Sequence, residues 1–342
     1  MRVGINCAID TRGISGSARG LSHLRRALHE IAGLDVVEAW PTGGLRRSRL
    51  WNAMTQASWD LYLAARATPS VEVFISPCNI GRAGSQQHHV LVLHDTMVLD
   101  RPDLFDRAYA HYARTLFGLS VHSADVILVP SRYTQGRLIA RWPDAPPVLV
   151  APWPLEQRAP EPRGSGASRQ ILMVGATEPN KQHTLGIAAV ELARKRSHEH
   201  LCLTIVGPCG RAEREVAAAL RAADPDEKWT VRKIDVSDTE LEKLYRDAWL
   251  LLQPSQMEGY GLPVGEAASR AIPVLHSGRG ALNEIAPAAV ASPDDPASYA
   301  AEICALLEDD RYSRAAVASI TSARQHTRER FIETVALALS SG

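Results

Sequence analysis

Short runs of aliphatic and β-branched residues alternate along this chain with longer stretches in which apolar positions recur every three or four residues. Runs of the first kind fit strands buried on both faces, and stretches of the second kind fit the helices that cover them. The pattern predicts strands near Val3–Ile5, Val36–Ala39, Val71–Ile75, Val90–Leu93, Val126–Val129 and Val148–Val150. A second series follows near Ile171–Val174, Leu201–Val206, Thr230–Lys233, Leu250–Gln253, Ile272–Leu275 and Ala288–Ala291. Strand and helix in strict alternation imply parallel sheets, and each half has enough strands for an open sheet of its own. Between the halves, Ala151-Pro152-Trp153-Pro154 through Glu161-Pro162-Arg163-Gly164-Ser165-Gly166 has the composition of a linker, which puts the boundary near residues 152 to 168. Ser237-Asp238-Thr239-Glu240 has capping-box spacing, with Leu241, Leu244, Tyr245 and Ala248 following at helical intervals; the segment is read as structural, without a chemical role. Residues 212–223 and 311–322 read as ordinary covering helices.

A length of 342 residues suits two cores rather than one. With 38 basic and 38 acidic residues the net charge is zero, so no overall field argues for nucleic acid or an anionic membrane. The five cysteines, Cys7, Cys78, Cys202, Cys209 and Cys304, are scattered and show no zinc or redox spacing, which suggests thiols in a reducing compartment. No apolar run approaches a membrane span. These features suggest a cytoplasmic protein and leave peripheral contact with the inner membrane face open; Arg46, Arg47 and Arg49 with Trp51 and Trp59 read as a solvated basic face, or as a site for a phosphate-bearing acceptor or lipid headgroup.

Candidate chemistry gathers just after the predicted strands, where ligands of open parallel sheets bind. In Glu258-Gly259-Tyr260-Gly261-Leu262-Pro263-Val264-Gly265-Glu266, two carboxylates flank a glycine-rich turn that opens into a helix at Pro263. Glycines let a diphosphate approach backbone donors at a helix start, and acceptor-only carboxylates suit the hydroxyls of a sugar and a ribose. Two solvated glutamates beside a strand-to-helix turn are the alternative reading. After Ile171–Val174, Lys181 stands at a helix entrance beside Asn180, where a cation can neutralise a phosphate leaving group or simply be solvated. His94-Asp95 places an imidazole after another strand, either to meet a sugar hydroxyl or acceptor or to be fixed by Asp95. Gly16, in the turn Gly13 to Gly20, and Gly207, in Gly207-Pro208-Cys209-Gly210, are weaker candidates for backbone contact with the donor. Asp224-Pro225-Asp226 resembles a metal motif but falls in a polar loop and is expected to be exposed; His88-His89 lacks further ligands, and no metal is expected.

Taken together, these residues resemble the retaining glycosyltransferases of family 4. The resemblance is strongest from Ser255 to Glu284, where Glu258 and Glu266 are separated by seven residues that include Gly261-Leu262-Pro263. Supporting matches are His94-Asp95 with Pro102 and Phe105, Ala124-Asp125 through Ser131 into Tyr133-Thr134, and Val174-Gly175 with Glu178-Pro179 and Lys181. The resemblance implies an α/β protein of the GT-B fold, two Rossmann-like doubly wound domains whose parallel sheets face an interdomain cleft. Residues 1–155 would bind the acceptor and 168–325 the donor, and 326–342 would form a helix crossing back to the N-terminal domain. It also implies that Glu258 contacts sugar hydroxyls, Glu266 the ribose and Lys181 the diphosphate, that the backbone from Gly259 through Tyr260, Gly261 and Leu262 lines the sugar-phosphate site, and that His94 approaches the sugar. Subfamilies with this Glu-Pro-x-Lys turn usually carry arginine where this chain has Asn180; Arg12, Arg19 and Arg279 are candidates to replace it.

The expected activity is transfer of a hexose, with mannose favoured by the subfamily, from a GDP-, UDP- or dTDP-sugar to a hydroxyl of a glycan, lipid-linked or small-molecule acceptor, without a cofactor. A nucleotide-sugar epimerase of the same fold and a catalytically silent nucleotide-sugar binding subunit are the rival expectations.

Overall fold

The computed structural model describes residues 1–8, 16–40, 70–81, 87–158 and 169–341. Arg12, the turn residues before Gly16, the basic stretch from Arg46 with Trp51 and Trp59, and the linker residues 161–166 lie outside the described residues. Two compact units form, Met1–Pro154 with His326–Gly342, and Leu155–Gln325. Each has its own parallel sheet.

In the first unit the chain runs β1 (Arg2–Asn6), α1 (Gly16–Glu30), β2 (Asp35–Ala39), β3 (Val73–Ser76), β4 (His88–Val92), α2 (Arg107–His122), β5 (Val126–Val129), α3 (Arg132–Arg141) and β6 (Val148–Val150). The strands lie in the order β2-β1-β3-β4-β5-β6, all parallel. Val-Phe-Ile-Ser and Val-Ile-Leu-Val are buried at every position, as central strands covered on both faces must be. Helix starts are set locally: Asp106 accepts from the amide of Ala108 at 2.9 Å, and Ser131 from that of Thr134 at 3.1 Å. The helix Arg328–Ser340 belongs to this unit; it buries Phe331, Val335, Ala338 and Leu339, and the Ala338 carbonyl accepts from His88 Nε2 at 2.9 Å. His89 is tied in the same way, its Nδ1–H donating to the Ser123 carbonyl at 3.0 Å and its Nε2 accepting from Ser76 Oγ at 2.9 Å.

The second unit runs β7 (Arg169–Val174), α4 (His183–Ser197), β8 (Leu201–Val206), α5 (Glu213–Ala223), β9 (Thr230–Lys233), α6 (Asp238–Asp247), β10 (Leu250–Gln253), α7 (Leu262–Ala268), β11 (Val274–His276), α8 (Pro296–Ala305) and α9 (Asp309–Ala323). Its sheet order is β11-β10-β7-β8-β9, again parallel, so the loops after β7, β8 and β10 emerge side by side at the carboxyl edge. The capping box at Ser237 forms, with its hydroxyl accepting from the Glu240 amide at 3.1 Å. Among the described residues no helix is long and apolar enough to cross a membrane.

Three expectations need correction. Residues 288–291 do not make a strand: they contribute one isolated bridge, His276 to Ala289. This segment, Ala-Ala-Val-Ala, lies between Pro287 and Pro293 and offers little side chain to pack on a pleated surface. Asp224 is buried rather than exposed, because its carboxylate closes the turn into β9 by accepting from the amides of Lys228, Trp229 and Thr230 at 2.9, 2.7 and 2.8 Å. The opening of the Pro-rich stretch is core rather than linker: Trp153 is 4% exposed in the first unit and Leu155 is 7% exposed in the second. Proline content marked the stretch as a linker but concealed the burial of its large apolar residues.

Phe331 is 2% exposed, and its ring centroid lies 5.4 Å from that of Trp153. Phe331→Ala is expected to destabilise the first unit by about 3–5 kcal/mol, read from chemical denaturation, because the cavity opens beneath a packed aromatic pair.

Candidate functional site

The loops after β7 and β8 are held together by a side chain that the sequence did not single out. Thr177 is fully buried: its Oγ1 donates to Glu213 at 2.6 Å and accepts from the Gly210 amide at 2.7 Å, its amide donates to Pro208 at 3.2 Å, and its carbonyl accepts from Ala212 at 2.8 Å. At Gly207, φ is +142° and a Cβ would fall 2.3 Å from the Gly175 carbonyl oxygen, so only glycine lets the two loops run this close. The contact is with protein backbone, which gives Gly207 a structural role in addition to the donor contact expected of it. From this anchor, Pro179–Lys181 form a single 3₁₀ turn, Gln182 takes a left-handed conformation with φ 49° and ψ 43°, and α4 begins.

That turn delivers Lys181 to Glu258. The ammonium donates to Glu258 Oε1 at 2.5 Å, and the same oxygen accepts from Gln253 Nε2 at 3.0 Å. Gln253 is the last residue of β10, and a polar residue closing an otherwise apolar buried strand was the available sign of its role. The backbones meet as well, the Gln256 amide donating to the Asn180 carbonyl at 2.7 Å. On its other side Glu258 is clamped by Gly280, where φ is +71° and a Cβ would lie 2.2 Å from the Glu258 carbonyl oxygen. Gly261, with φ +100°, precedes α7, and Pro263 stands in that helix's first turn.

Glu266 sits within α7 and Glu258 before it, so the two carboxylates belong to different elements. Glu266 Oε2 accepts from the Tyr245 hydroxyl at 2.7 Å. The structural reading of α6 thus gains one detail: its Tyr245 holds the carboxylate of a candidate binding residue. The Arg270 guanidinium lies 4.9 Å from the Tyr245 ring centroid and is also held by Glu242. Tyr260 is 6% exposed, and burial, with the charge of Glu284, pushes its hydroxyl well above the usual tyrosine range; the phenol is a packing element.

His94 and Gly16 lie in the first unit. His94 is not fixed by Asp95, whose carboxylate accepts from the Met97 amide at 2.8 Å. Instead Nε2 meets the Pro77 carbonyl at 2.8 Å, and the ring stacks on Trp153 with centroids 5.5 Å apart. A carbonyl only accepts, so Nε2 carries the proton. Burial holds the ring's pKa below the ordinary histidine value, and the neutral imidazole therefore keeps Nδ1 as an acceptor. Gly16, the first residue of α1, has open space where a Cβ would stand. Arg279, a candidate to replace the arginine absent at Asn180, forms a two-pronged ion pair with Asp294.

His183, the first residue of α4, was also missed. It is 3% exposed, Nδ1 has no hydrogen-bond partner, and burial reinforced by Lys181 and Arg232 lowers its pKa to about 3, with Glu213 opposing. Among the described residues no group of three His, Cys, Asp or Glu gathers as a metal site would require.

Two α/β units, each built on its own parallel sheet, make up the architecture of GT-B sugar transferases. Solved structures share it: sucrose-phosphate synthase from Thermosynechococcus elongatus superposes with TM-score 0.76 at 15% identity, covering 98% of both chains. WaaG, a glycosyltransferase involved in lipopolysaccharide biosynthesis, superposes with TM-score 0.75 at 14% identity over 100% of both. Residues 121–337 match the model of the family described as family 4 glycosyltransferase in conflict systems, and the chain belongs to that family. Among curated proteins it is similar to the serotype-specific mannosyltransferase WbdA of Escherichia coli, 31% identical over 153 residues, which are 43% of this chain and 19% of that one. It is also similar to the O-antigen chain mannosyltransferase B of Escherichia coli, 26% identical over 255 residues, covering 70% of this chain and 67% of that protein.

Gly280→Ala is expected to displace Glu258 and to abolish binding at this site in calorimetry, while far-ultraviolet circular dichroism stays near wild type. A second expectation concerns acid stability. The unfolded His183 titrates near 6.5 and the folded one near 3, so between these values the unfolded state binds the extra proton and stability falls as pH drops. His183→Leu should reduce the slope of unfolding free energy against pH in that window by roughly 1.4 kcal/mol per pH unit.

Proposed function

We propose that this chain is a retaining hexosyltransferase that moves a sugar, mannose by analogy with its curated relatives, from a nucleotide diphosphate donor to an acceptor hydroxyl in glycan or glycoconjugate assembly. The observation that carries the reading is the Lys181–Glu258 pair, held at 2.5 Å by two loops at the carboxyl edge of a parallel sheet. Each member is satisfied by the other until a donor arrives that can replace both. A diphosphate exchanges for Glu258 at the ammonium, and sugar hydroxyls exchange for Lys181 at the carboxylate. An amine, a simple phosphate or a bare sugar replaces only one.

In this reading the second unit holds the donor, with Glu266, oriented by Tyr245, accepting from the ribose hydroxyls. The first unit serves the acceptor, and the neutral His94 offers Nδ1 to a hydroxyl. The bond between the anomeric carbon and the diphosphate oxygen breaks while the acceptor oxygen bonds to the same face of that carbon. The acceptor proton passes to the departing diphosphate, whose growing charge Lys181 stabilises. No metal is assigned, because the cation at the leaving group is a side chain. HepE of Anabaena, of the same fold at TM-score 0.69, was solved with UDP and glucose, which supports a nucleotide-sugar donor here. GDP-mannose is the first candidate by relationship to the mannosyltransferases, with a glycan or lipid-linked acceptor at the cytoplasmic membrane face. Family membership favours transfer over epimerisation and over silent binding.

A thermal-shift screen of GDP-, UDP- and dTDP-sugars tests this. One donor class should raise the melting temperature of the wild type, and Glu266→Gln, which keeps an acceptor for Tyr245, should weaken that donor about tenfold. Lys181→Ala should lower kcat/KM for transfer by about 10²–10³. No shift with any donor, or an unchanged shift in the Glu266 variant, would sink the assignment.

A further inference from the structure

The two loops that bring Lys181 to Glu258 also carry two glutamines whose side-chain amide oxygens are buried without a hydrogen-bond partner. Gln182 follows Lys181 directly, Gln256 stands two residues before Glu258, and the oxygen of each side-chain amide is shut off from water with no donor in reach. They share one junction, because the backbone N–H of Gln256 donates to the Asn180 carbonyl at 2.7 Å while Lys181 bonds Glu258 at 2.5 Å. Gln182 holds φ 49°, a left-handed backbone that glycine adopts without cost, so the position keeps a long amide side chain where local energetics favour none. A buried amide oxygen without a donor costs free energy that a suitable ligand group would recover.

The chemistry of the unfilled group selects the ligand. Phosphate oxygens carry no proton at neutral pH and cannot donate to an amide oxygen. Sugar hydroxyls both donate and accept, which matches a primary amide that offers both functions.

We infer that Gln182, next to Lys181, and Gln256, two residues before Glu258, are specificity-determining residues that read the hydroxyls of the transferred sugar. The inference rests on the donor site proposed above and adds a division of labour to it. Lys181 answers to the diphosphate, whereas the two amides and Glu258 answer to the sugar, so recognition beside Asn180 is achieved with neutral groups rather than with a second cation.

The experiment is calorimetric titration of the full chain with GDP-mannose against GDP, and with UDP-glucose against UDP. Wild type is compared with Gln256→Met, which keeps side-chain length, and Gln182→Gly, which suits the left-handed backbone; melting curves verify folding. Wild type is expected to bind one sugar nucleotide more tightly than its bare nucleotide. Each variant should lose about tenfold for that sugar nucleotide and nothing for the bare nucleotide. Equal losses for both ligands, a variant that keeps the wild-type preference for the sugar, or a wild type indifferent to the sugar would each overturn the inference while leaving a nucleotide site in place. A wild type that binds none of the four ligands would overturn the donor-site reading and this inference with it.

Discussion

A buried carboxylate must be paired, and the second unit meets that requirement at Glu258. Desolvating an ion is costly unless an opposite charge and hydrogen-bond donors replace its water. Here Lys181 and Gln253 converge on one oxygen at 2.5 and 3.0 Å. Much of the surrounding loop structure follows from delivering those partners. Thr177 ties the loop after β7 to the loop after β8, Gly207 lets the two backbones close, and Gly280 lets a third segment press against Glu258. The result is a buried carboxylate satisfied by one cation and one amide on the same oxygen.

The remaining charges nearby are quieted in different ways. Glu213 is pulled down to about 2 chiefly by its hydrogen bonds with Arg232, so it remains anionic and fixes both Arg232 and Thr177. His183 is kept neutral by burial with Lys181 and Arg232 nearby. Glu266 accepts from the phenol of Tyr245 at 2.7 Å, which fixes one of its carboxylate oxygens.

The hydrophobic pattern specified the sheets well because strands covered on both faces are nearly continuous apolar runs, and Val126–Val129, Leu201–Val206 and Leu250–Gln253 have the predicted limits. It failed where side-chain size and context matter more than polarity. Ala288–Ala291 is apolar yet makes only a bridge, and Trp153 looked like part of a linker although it is sandwiched between His94 and Phe331. The Asp-Pro-Asp sequence looked like a solvated loop, but Asp224 has backbone donors converging on it that no spacing rule reveals.

By itself the sequence determined that this is a two-sheet parallel α/β protein and marked the Glu258–Glu266 segment and Lys181 as candidates, because glycine, proline and charge after an apolar run are local signals. Only the tertiary structure decided which partner each charge takes. Lys181 and Glu258 are 77 positions apart and Thr177 and Gly210 are 33 apart, and such pairings are set by sheet order, β10-β7-β8, rather than by any neighbour in the chain. Tyr245 shows the same division: its helical spacing fixed its burial, but the partner of its hydroxyl, Glu266 of α7, was set by the tertiary structure.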